Sequence, residues 1–222
     1  MSQALAQIRI GFIGDSITHG TGDETLLGWP LRVGQAARSN GYDVVVYNLG
    51  VRADTSELVA QRWEAECRAR LPEIFPRATV FAVGINDSAH EKSASKDGLR
   101  VDLEHSADLI IDMIKSAQES GPSLWVGPTP VIEDMMPLTL NPTLSYRFTN
   151  NVIEQYNHLY SARAKDAGIA YLDLYSTLAS DPDWEKSLRA SDGLHPSSLG
   201  YKKIAALFNE WPAWRAVLES IA

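Results

Sequence analysis

The chain has 222 residues, of which 45% are hydrophobic and 22% are charged, a composition typical of a globular domain. Its 28 acidic and 20 basic residues give a formal net charge of −8 at pH 7. This acidic balance argues against nucleic acid or an anionic membrane as the main partner, since binding to phosphate groups requires a basic protein face.

The N-terminal segment Met1–Gln7 lacks the basic start and the apolar core of a signal peptide. No apolar run in the sequence approaches the length needed to cross a bilayer. We therefore expect a cytoplasmic protein that has no stable association with membranes.

Five short apolar runs predict β-strands, and the segments between them predict helices. The predicted strands cover residues 8–13, 44–49, 78–83, 123–127 and 169–175. The predicted helices cover residues 30–38, 54–71, 103–117, 152–168 and 197–209, with a further short amphipathic helix in the tail 211–222. This alternation predicts a single α/β domain over residues 1–222, in which helices cover both faces of a parallel sheet.

The second predicted helix carries two local signals. Asp54 supplies a capping oxygen at its start, and Glu57 follows three residues later, as in a capping box. The only cysteine of the chain, Cys67, excludes an intramolecular disulfide, and its spacing from Val59 and Trp63 predicts a small buried side chain on this helix.

A turn from strand to helix follows the first predicted strand and contains the residues Gly14-Asp15-Ser16-Ile17-Thr18. In an open α/β sheet, ligands bind at the carboxyl ends of the strands, so the Ser16 hydroxyl is expected where chemistry takes place. The alternative is that Asp15, Ser16 and Thr18 only cap the helix that follows.

Three further segments are expected at the same edge of the sheet. Gly50 ends the second strand, Asn86 follows the third strand, and the segment Ser191–Pro196 lies between the fifth strand and the last long helix. Each has a simple alternative: a turn glycine, a helix cap, or a histidine used only for hydrogen bonding. Jointly they supply a nucleophile, a base with a carboxylate three residues before it, and an amide donor, the set that acyl transfer requires.

With these blocks in this order, the chain resembles the GDSL esterases and lipases, also called SGNH hydrolases. The resemblance covers nearly the whole chain, from Gly14-Asp15-Ser16 through Gly50 and Gly84-Ile85-Asn86-Asp87 to Asp192-Gly193-Leu194-His195-Pro196. It implies a three-layer α/β/α sandwich with a flavodoxin-like, five-stranded parallel sheet. It also implies hydrolysis of carboxylic esters or thioesters without a cofactor, and the absence of the G-x-S-x-G elbow, which the sequence does lack.

The resemblance assigns roles to particular residues. Ser16 is the nucleophile, His195 is the base, and Asp192 orients the histidine. The oxyanion hole is made by the backbone N–H groups of Ser16 and Gly50 and by the side chain of Asn86. Two further carboxylates, Asp15 and Asp87, are expected to brace their loops through hydrogen bonds to the backbone.

One departure from the family pattern follows Gly50, where many relatives carry small residues and this chain has Val51-Arg52-Ala53-Asp54-Thr55. Arg52 is interpreted as a residue that either narrows the pocket or offers a forked donor to an anionic or polar group of the substrate, which would favour small or polar acyl esters. The alternative is an ion pair between Arg52 and Asp54 or Asp87.

Two loops carry more apolar residues than loops usually hold. They cover residues 20–29 and 131–142, and their apolar side chains include Leu26, Leu27, Trp29, Met135 and Met136. These side chains are expected either to line the acyl or alcohol pocket, with Trp29 and Met136 as substrate-binding residues, or to form the interface of a homo-oligomer.

The sequence therefore predicts a serine hydrolase that acts on small or short-acyl esters. Within the same family, a thioesterase, a lysophospholipase and a carbohydrate deacetylase remain open. From another class, a non-catalytic binding protein on the same fold is the alternative. A metal site is not predicted, because the five histidines show no ligand spacing.

Overall fold

The computed structural model describes residues 7–222. The prediction that the chain has no signal peptide concerns Met1–Gln7, and all of this segment except Gln7 lies outside the described residues. Strands in this part of the chain are β1 (Ile8–Gly14), β2 (Val44–Gly50), β3 (Arg77–Ala82), β4 (His90–Lys92), β5 (Asp97–Leu99), β6 (Ser123–Val126), β7 (Leu138–Asn141), β8 (Leu144–Arg147) and β9 (Tyr171–Leu172). The α-helices are α1 (Ser16–His19), α2 (Gly28–Ser39), α3 (Ser56–Arg70), α4 (Leu103–Gln118), α5 (Asn150–Asp166), α6 (Leu174–Leu178), α7 (Pro182–Arg189), α8 (Ser198–Glu210) and α9 (Pro212–Ile221).

The central sheet is parallel and has the strand order β2-β1-β3-β6-β9. This is the flavodoxin-like order, with β1 in contact with both β2 and β3. At the carboxyl edge, Gly14 at the end of β1 pairs with Gly50 of β2 and with Ala82 of β3. The predicted five-stranded parallel sheet is confirmed, and its carboxyl edge collects the loops that the sequence analysis singled out.

Two apolar clusters lie on opposite faces of this sheet. On one face, Phe12 packs against α2, α8 and α9 through residues such as Trp29, Phe208 and Trp214. On the other face, Ile13 joins a cluster formed with α3, α4 and α5. Because neighbouring residues of a strand point to opposite faces, Phe12 and Ile13 serve different layers. The three-layer α/β/α sandwich is therefore confirmed.

The last strand of the central sheet is shorter than predicted. The sequence analysis placed a strand over residues 169–175, whereas β9 contains only Tyr171 and Leu172. Asp173 ends it because its side chain accepts a hydrogen bond from the N–H of Ser176 and caps α6. The bounds of this strand were wrong, and α6 and α7 were not predicted.

A second, antiparallel sheet was also missed. It has the order β5-β4-β8-β7 and is built from two segments, residues 90–99 and 138–147, for which the sequence analysis predicts no strand. A third apolar cluster lies beneath it and includes Ile85, Val131, Met136, Phe148 and Leu194. Since Ile85 precedes Asn86 and Leu194 precedes His195, this cluster connects the small sheet to the candidate site.

Candidate active site

Three side chains from the two ends of the chain form a continuous line of hydrogen bonds. Ser16 is the first residue of α1, and its Oγ lies 2.7 Å from Nε2 of His195. The other ring nitrogen of His195, Nδ1, lies 2.7 Å from Oδ2 of Asp192. Ser16 and His195 are both buried. The structure thus brings together the serine, histidine and aspartate that the sequence analysis selected.

The segment 192–195 forms a tight turn around the Asp192 carboxylate. Oδ1 of Asp192 accepts hydrogen bonds from the backbone N–H groups of Leu194, at 3.0 Å, and of His195, at 2.8 Å. Partial burial tends to raise the pKa of Asp192, but the hydrogen bonds from the His195 ring and from the two amides outweigh it and lower the pKa to about 2. The carboxylate therefore stays ionised beside the imidazole at neutral pH.

Asp15 caps the short helix that begins with the serine. Its Oδ1 accepts a hydrogen bond of 2.8 Å from the N–H of Ile17, as the sequence analysis predicted for a bracing residue. Burial, together with the nearby charges of Asp87 and Asp54, raises the pKa of Asp15 to about 7. Asp15 is thus a buried carboxyl group that holds its proton in mildly acidic solution.

Asp87 connects three elements behind the site. Its Oδ1 accepts a hydrogen bond of 2.8 Å from the N–H of Ser56, and its Oδ2 accepts one from the hydroxyl of Ser106, which in turn lies 2.5 Å from the hydroxyl of Tyr160. Burial raises the pKa of Asp87. Because Asp87 caps the start of α3, the prediction that Asp54 caps this helix was wrong.

The predicted oxyanion donors are only partly available. Nδ2 of Asn86 donates a hydrogen bond of 2.9 Å to the carbonyl of Asp54, which leaves its second amide hydrogen for another acceptor. The backbone N–H of Gly50 donates to Oδ1 of Asn48 at 3.0 Å, so it is already engaged within the protein. The assignment of Gly50 as an oxyanion donor does not fit this geometry.

Ala53 presents a backbone N–H close to Asn86, and the sequence analysis missed it. It is a non-glycine residue with a φ of 65°, and within residues 7–222 its N–H donates to no acceptor. The next residue, Asp54, is the one whose carbonyl binds Asn86. Residues held in the left-handed region carry strain and cluster at functional sites, but an alanine gives no signal in the sequence that it adopts this conformation.

Arg62 of α3 connects the ends of the first two strands. Its guanidinium donates to the carbonyl of Gly14 at 2.9 Å, to the carbonyl of Leu49 at 3.0 Å and to Oδ2 of Asp54 at 2.7 Å. The sequence analysis missed this residue as well. Arg62 lies three residues after Val59 and next to Trp63, at the border of the buried face of α3. An arginine in this position of a helix pattern could have indicated a buried structural role.

Comparison with known proteins agrees with the fold. The model of the GDSL-like lipase/acylhydrolase family matches residues 12–203. The chain belongs to this family. It is thus a member of a family of carboxylic ester hydrolases, as the resemblance in its sequence implied.

Individual relatives are distant from this GDSL hydrolase. It is 25% identical over 211 residues to an acetylxylan esterase of Xylanibacter ruminicola, a match that covers 90% of this chain and 42% of the length of that protein. It is 25% identical over 220 residues to esterase TesA of Pseudomonas aeruginosa, with coverage of 97% and 92%. A crystal structure of the lipase/acylhydrolase from Enterococcus faecalis has a TM-score of 0.71 at 21% identity, covering 96% of this chain and 97% of that one.

In this GDSL hydrolase, the loop 20–28 supports the segment that carries the histidine. Arg32 of α2 forms a buried ion pair with Asp23, 2.5 Å between Nη1 and Oδ2, and donates from Nη2 to the hydroxyl of Ser198 at 2.8 Å. Burial opposes ionisation, but the hydrogen bonds from Arg32 and Thr25 lower the pKa of Asp23 to about 2. The loop is therefore anchored by a charged pair and holds the start of α8, just after His195.

Trp29, which the sequence analysis placed on the pocket wall, is a core residue. Only 1% of it is exposed, and its ring lies 5.1 Å from the ring of Phe12 and 5.3 Å from that of Phe208. Leu26 in the same loop is 86% exposed. The loop thus has its apolar residues in different environments, and Trp29 stabilises the helical layer.

The segment 131–136 also packs inside the molecule. Met136 is 8% exposed and belongs to the cluster beneath the small sheet, so it is neither an open pocket wall nor an exposed interface residue. The N–H of Ile132 donates to the carbonyl of Gly193 at 2.9 Å. Gly193 has a φ of 82° and packs against Met135, which supports the turn that contains Asp192.

Arg52 lies on the exposed turn between β2 and α3. The suggested ion pairs with Asp54 or Asp87 are not formed, because Asp54 pairs with Arg62 and Asp87 binds Ser56 and Ser106. Among residues 7–222, the Arg52 side chain has no hydrogen bond or ion pair.

The part of this GDSL hydrolase away from Ser16 contains a large cavity. A cavity of about 520 Å³ lies at the amino edge of the sheet, between the ends of α3 and α4, and is therefore far from Ser16 along the strands. In the described ranges, no three His, Cys, Asp or Glu side chains are placed to hold a metal ion. No helix within residues 7–222 is both long enough and apolar enough to span a membrane.

Proposed function

We propose that the chain is a serine esterase that cleaves small, short-acyl carboxylic esters through an acyl-enzyme on Ser16. The observation that carries this proposal is the line of hydrogen bonds from Ser16 through His195 to Asp192, with both distances at 2.7 Å. A serine hydroxyl is a weak nucleophile unless a base removes its proton during attack, and His195 is placed to do so.

The reaction then proceeds in two steps. The carboxylate of Asp192 accepts a hydrogen bond from the protonated Nδ1 of His195. Nε2 is then unprotonated and takes the proton of Ser16 as Oγ attacks the ester carbonyl. The protonated ring donates that proton to the departing alcohol, and the acyl group stays on Ser16. Water, activated by the same histidine, releases the acid and restores the serine.

The oxyanion that forms at each step needs hydrogen-bond donors. We assign these to the N–H of Ser16, the second amide hydrogen of Asn86 and the N–H of Ala53. The N–H of Gly50 is replaced in this set because Asn48 already accepts from it. Each such donor typically contributes about 2.7–4 kcal/mol to the stabilisation of the transition state.

The preference for short acyl groups is supported by how the surroundings of Ser16 are filled. Trp29 and Met136, the residues considered for an acyl pocket, are packed in apolar clusters. Ser16 and His195 are themselves buried, which leaves little open surface beside the nucleophile. A long acyl chain would have to displace packed side chains, and such repacking costs about 1–3 kcal/mol.

The proposal is tested with a series of 4-nitrophenyl esters of increasing acyl length. We expect turnover that decreases from acetate to longer acyl groups. The Ser16→Ala variant is expected to lower kcat by at least about 10³-fold, because the activated nucleophile is lost. A Ser95→Ala variant in the β4–β5 hairpin serves as the matched control. Unchanged activity in Ser16→Ala, with a melting temperature like that of the native chain, would rule out this mechanism.

Acetyl esters of carbohydrates are the second candidate substrate. One of the relatives is named an acetylxylan esterase, and an acetyl group is a short acyl group of the kind proposed for this site. Release of acetate from acetylated xylo-oligosaccharides, compared with release from 4-nitrophenyl acetate, distinguishes a deacetylase from a general small-ester esterase.

A further inference from the structure

Within residues 7–222, Arg52 differs from nearly all other arginines because its side chain has no partner there. All thirteen arginines lie within residues 7–222, and eleven of them donate a side-chain hydrogen bond, form an ion pair or stack over an aromatic ring. Among the described residues, the guanidinium groups of Arg52 and Arg147 have none of these contacts. In a chain with eight more acidic than basic residues, such a free arginine is notable because carboxylates are plentiful.

The two carboxylates that the sequence analysis suggested as partners of Arg52 have other partners. Oδ2 of Asp54 lies 2.7 Å from Nε of Arg62, and both oxygens of Asp87 accept hydrogen bonds from Ser56 and Ser106. The positive charge of Arg52 is therefore not compensated by the loop that carries it. An incoming anion would not have to compete with an internal partner for this guanidinium.

The turn that carries Arg52 is attached to the candidate site on both sides. The N–H of Val51 donates to the carbonyl of Gly14 at 3.0 Å, two residues before Ser16. On the other side, the carbonyl of Asp54 accepts from Nδ2 of Asn86 at 2.9 Å. Arg52 thus lies on a fixed turn between the strand end that leads to the nucleophile and the asparagine assigned to the oxyanion hole. Arg147, in contrast, lies in β8 of the small sheet.

We infer that Arg52 binds a carboxylate on the ester substrate, so that the preferred substrates of this site are small esters with a free acidic group. This inference rests on the proposed esterase function and adds the substrate class. A planar guanidinium binds a carboxylate through two parallel hydrogen bonds, and its positive charge also attracts the anion from solution. Arg52 is a specificity residue in this scheme, since it touches the substrate away from the reacting carbonyl.

The experiment uses matched pairs of esters, in which one member carries a free carboxylate and the other carries the neutral methyl ester of the same group. Mono-4-nitrophenyl glutarate and its methyl ester place the carboxylate, or its neutral equivalent, on the acyl side. 4-Acetoxybenzoate and its methyl ester do the same on the alcohol side. The measured quantity is the ratio of kcat/KM for the anionic ester to that for its neutral partner, in the native chain and in the variants Arg52→Gln, Arg52→Lys and Arg147→Gln.

We expect Arg52→Gln to lower this ratio about tenfold for at least one pair, mainly through KM, a size typical of a lost charge-assisted hydrogen bond. Arg52→Lys should lower the ratio less than Arg52→Gln does, because lysine keeps the positive charge but cannot form the two parallel hydrogen bonds of a guanidinium. Arg147→Gln should leave the ratio unchanged. Added salt should lower the ratio of the native chain and have less effect on that of Arg52→Gln.

The inference is overturned if Arg52→Gln changes the anionic and neutral esters equally, or if Arg147→Gln lowers the ratio as much. A binding measurement tests the role of Arg52 independently of whether the chain is an esterase. In the Ser16→Ala background, calorimetric titration with the anionic esters should show binding that Arg52→Gln removes. If Ser16→Ala keeps native turnover, the serine mechanism fails, and this titration alone decides the role of Arg52.

Discussion

At the scale of single residues, Asp192 shows how one carboxylate performs two tasks. Oδ1 accepts hydrogen bonds from the backbone amides of Leu194 and His195 and so stabilises the turn. Oδ2 accepts a hydrogen bond from the imidazole of His195. The same hydrogen bonds keep its pKa at about 2 against the opposing effect of burial. A side chain of the same shape without the charge can perform only the first task.

This leads to a prediction for Asp192→Asn. The asparagine oxygen can still accept hydrogen bonds from the two backbone amides. Its NH₂ group would face Nδ1 of His195 as a donor, so the ring proton would move to Nε2. We expect kcat to fall by about 10²–10⁴-fold because the ring then has the wrong tautomer for taking the proton of Ser16. Steady-state kinetics with 4-nitrophenyl acetate measures this, and Asp166→Asn at the exposed end of α5 is the control. A fall of less than about threefold would show that Asp192 only shapes the turn.

The residues of the site were largely visible in the sequence, because Ser16 and Asn86 follow strands of a parallel sheet, and Asp192 and His195 precede the last long helix. Ser16, Asn86, Asp192 and His195 were placed by this rule and by the resemblance, and the structure brings them to one edge. The oxyanion donors were harder to assign. A backbone N–H depends on local conformation and on competing acceptors, and neither the φ of Ala53 nor the contact between Gly50 and Asn48 can be read from residue types.

At the scale of secondary-structure elements, α3 contains two arginines in different environments. Arg62 is mostly buried and donates to the carbonyls that end β1 and β2, while Arg68 forms an exposed ion pair with Glu64 one turn away. Carbonyl groups left without a donor in a buried position are costly, whereas exposed pairs contribute little. The helix thus holds the edge of the sheet through one side chain.

We therefore predict that Arg62→Met lowers the free energy of unfolding by about 2–4 kcal/mol, since it removes the ion-pair partner of Asp54 and the hydrogen bonds to two strand-end carbonyls. Arg68→Met on the same helix should change it by less than about 1 kcal/mol. Urea unfolding of both variants measures the difference. Equal effects of the two substitutions would contradict the assigned role of Arg62.

The small sheet makes a second prediction at this scale. Met136 is buried in the cluster that connects this sheet to Ile85 and Leu194. Met136→Asp would place a charge in this cluster, and we expect a loss of at least about 3 kcal/mol of stability, whereas Met136→Leu should cost less than about 1.5 kcal/mol. Thermal unfolding of both variants tests this. A stable Met136→Asp variant with an altered acyl preference would instead restore the pocket-wall interpretation.

The elements of the central sheet were predictable, and those of the small sheet were not. The strands of the central sheet are buried on both faces and therefore read as continuous apolar runs. The strands β4, β5, β7 and β8 contain three or four residues each and are mostly exposed, so their composition is that of a loop. The two hairpins of this sheet are joined by the pairing of β4 with β8, whose residues lie far apart in the sequence, and no local pattern reveals that pairing.

At the scale of the whole molecule, buried carboxyl groups give the stability a defined dependence on pH. Burial raises the pKa values of Asp15, to about 7, and of Asp87. Such groups keep their protons in the folded state and lose them in the unfolded state, so stability falls as the pH rises from about 4 to about 7. Asp23 and Asp192, with pKa values of about 2, stabilise the folded state above pH 4, and this contribution is lost in more acidic solution.

We accordingly predict maximum stability in mildly acidic solution and a smaller loss toward neutral pH in Asp15→Asn. The asparagine keeps an oxygen for the N–H of Ile17 and does not ionise. The native chain should lose on the order of a few kcal/mol between pH 4 and pH 7, and Asp15→Asn should lose less over the same range. Urea unfolding at a series of pH values measures this, with the exposed Asp43→Asn as control. Parallel pH profiles for native chain and Asp15→Asn would disprove the assignment.

The hydrogen bond between Ser16 and His195 joins residues that are 179 positions apart in the sequence. In the proposed mechanism, the nucleophile therefore leaves the ribosome during synthesis long before the base that activates it. A serine without its base reacts poorly, so the growing chain cannot acylate itself or consume esters until its last strand and helices have assembled. Hydrolytic activity in this molecule is thus a direct report that both ends of the chain have reached their places.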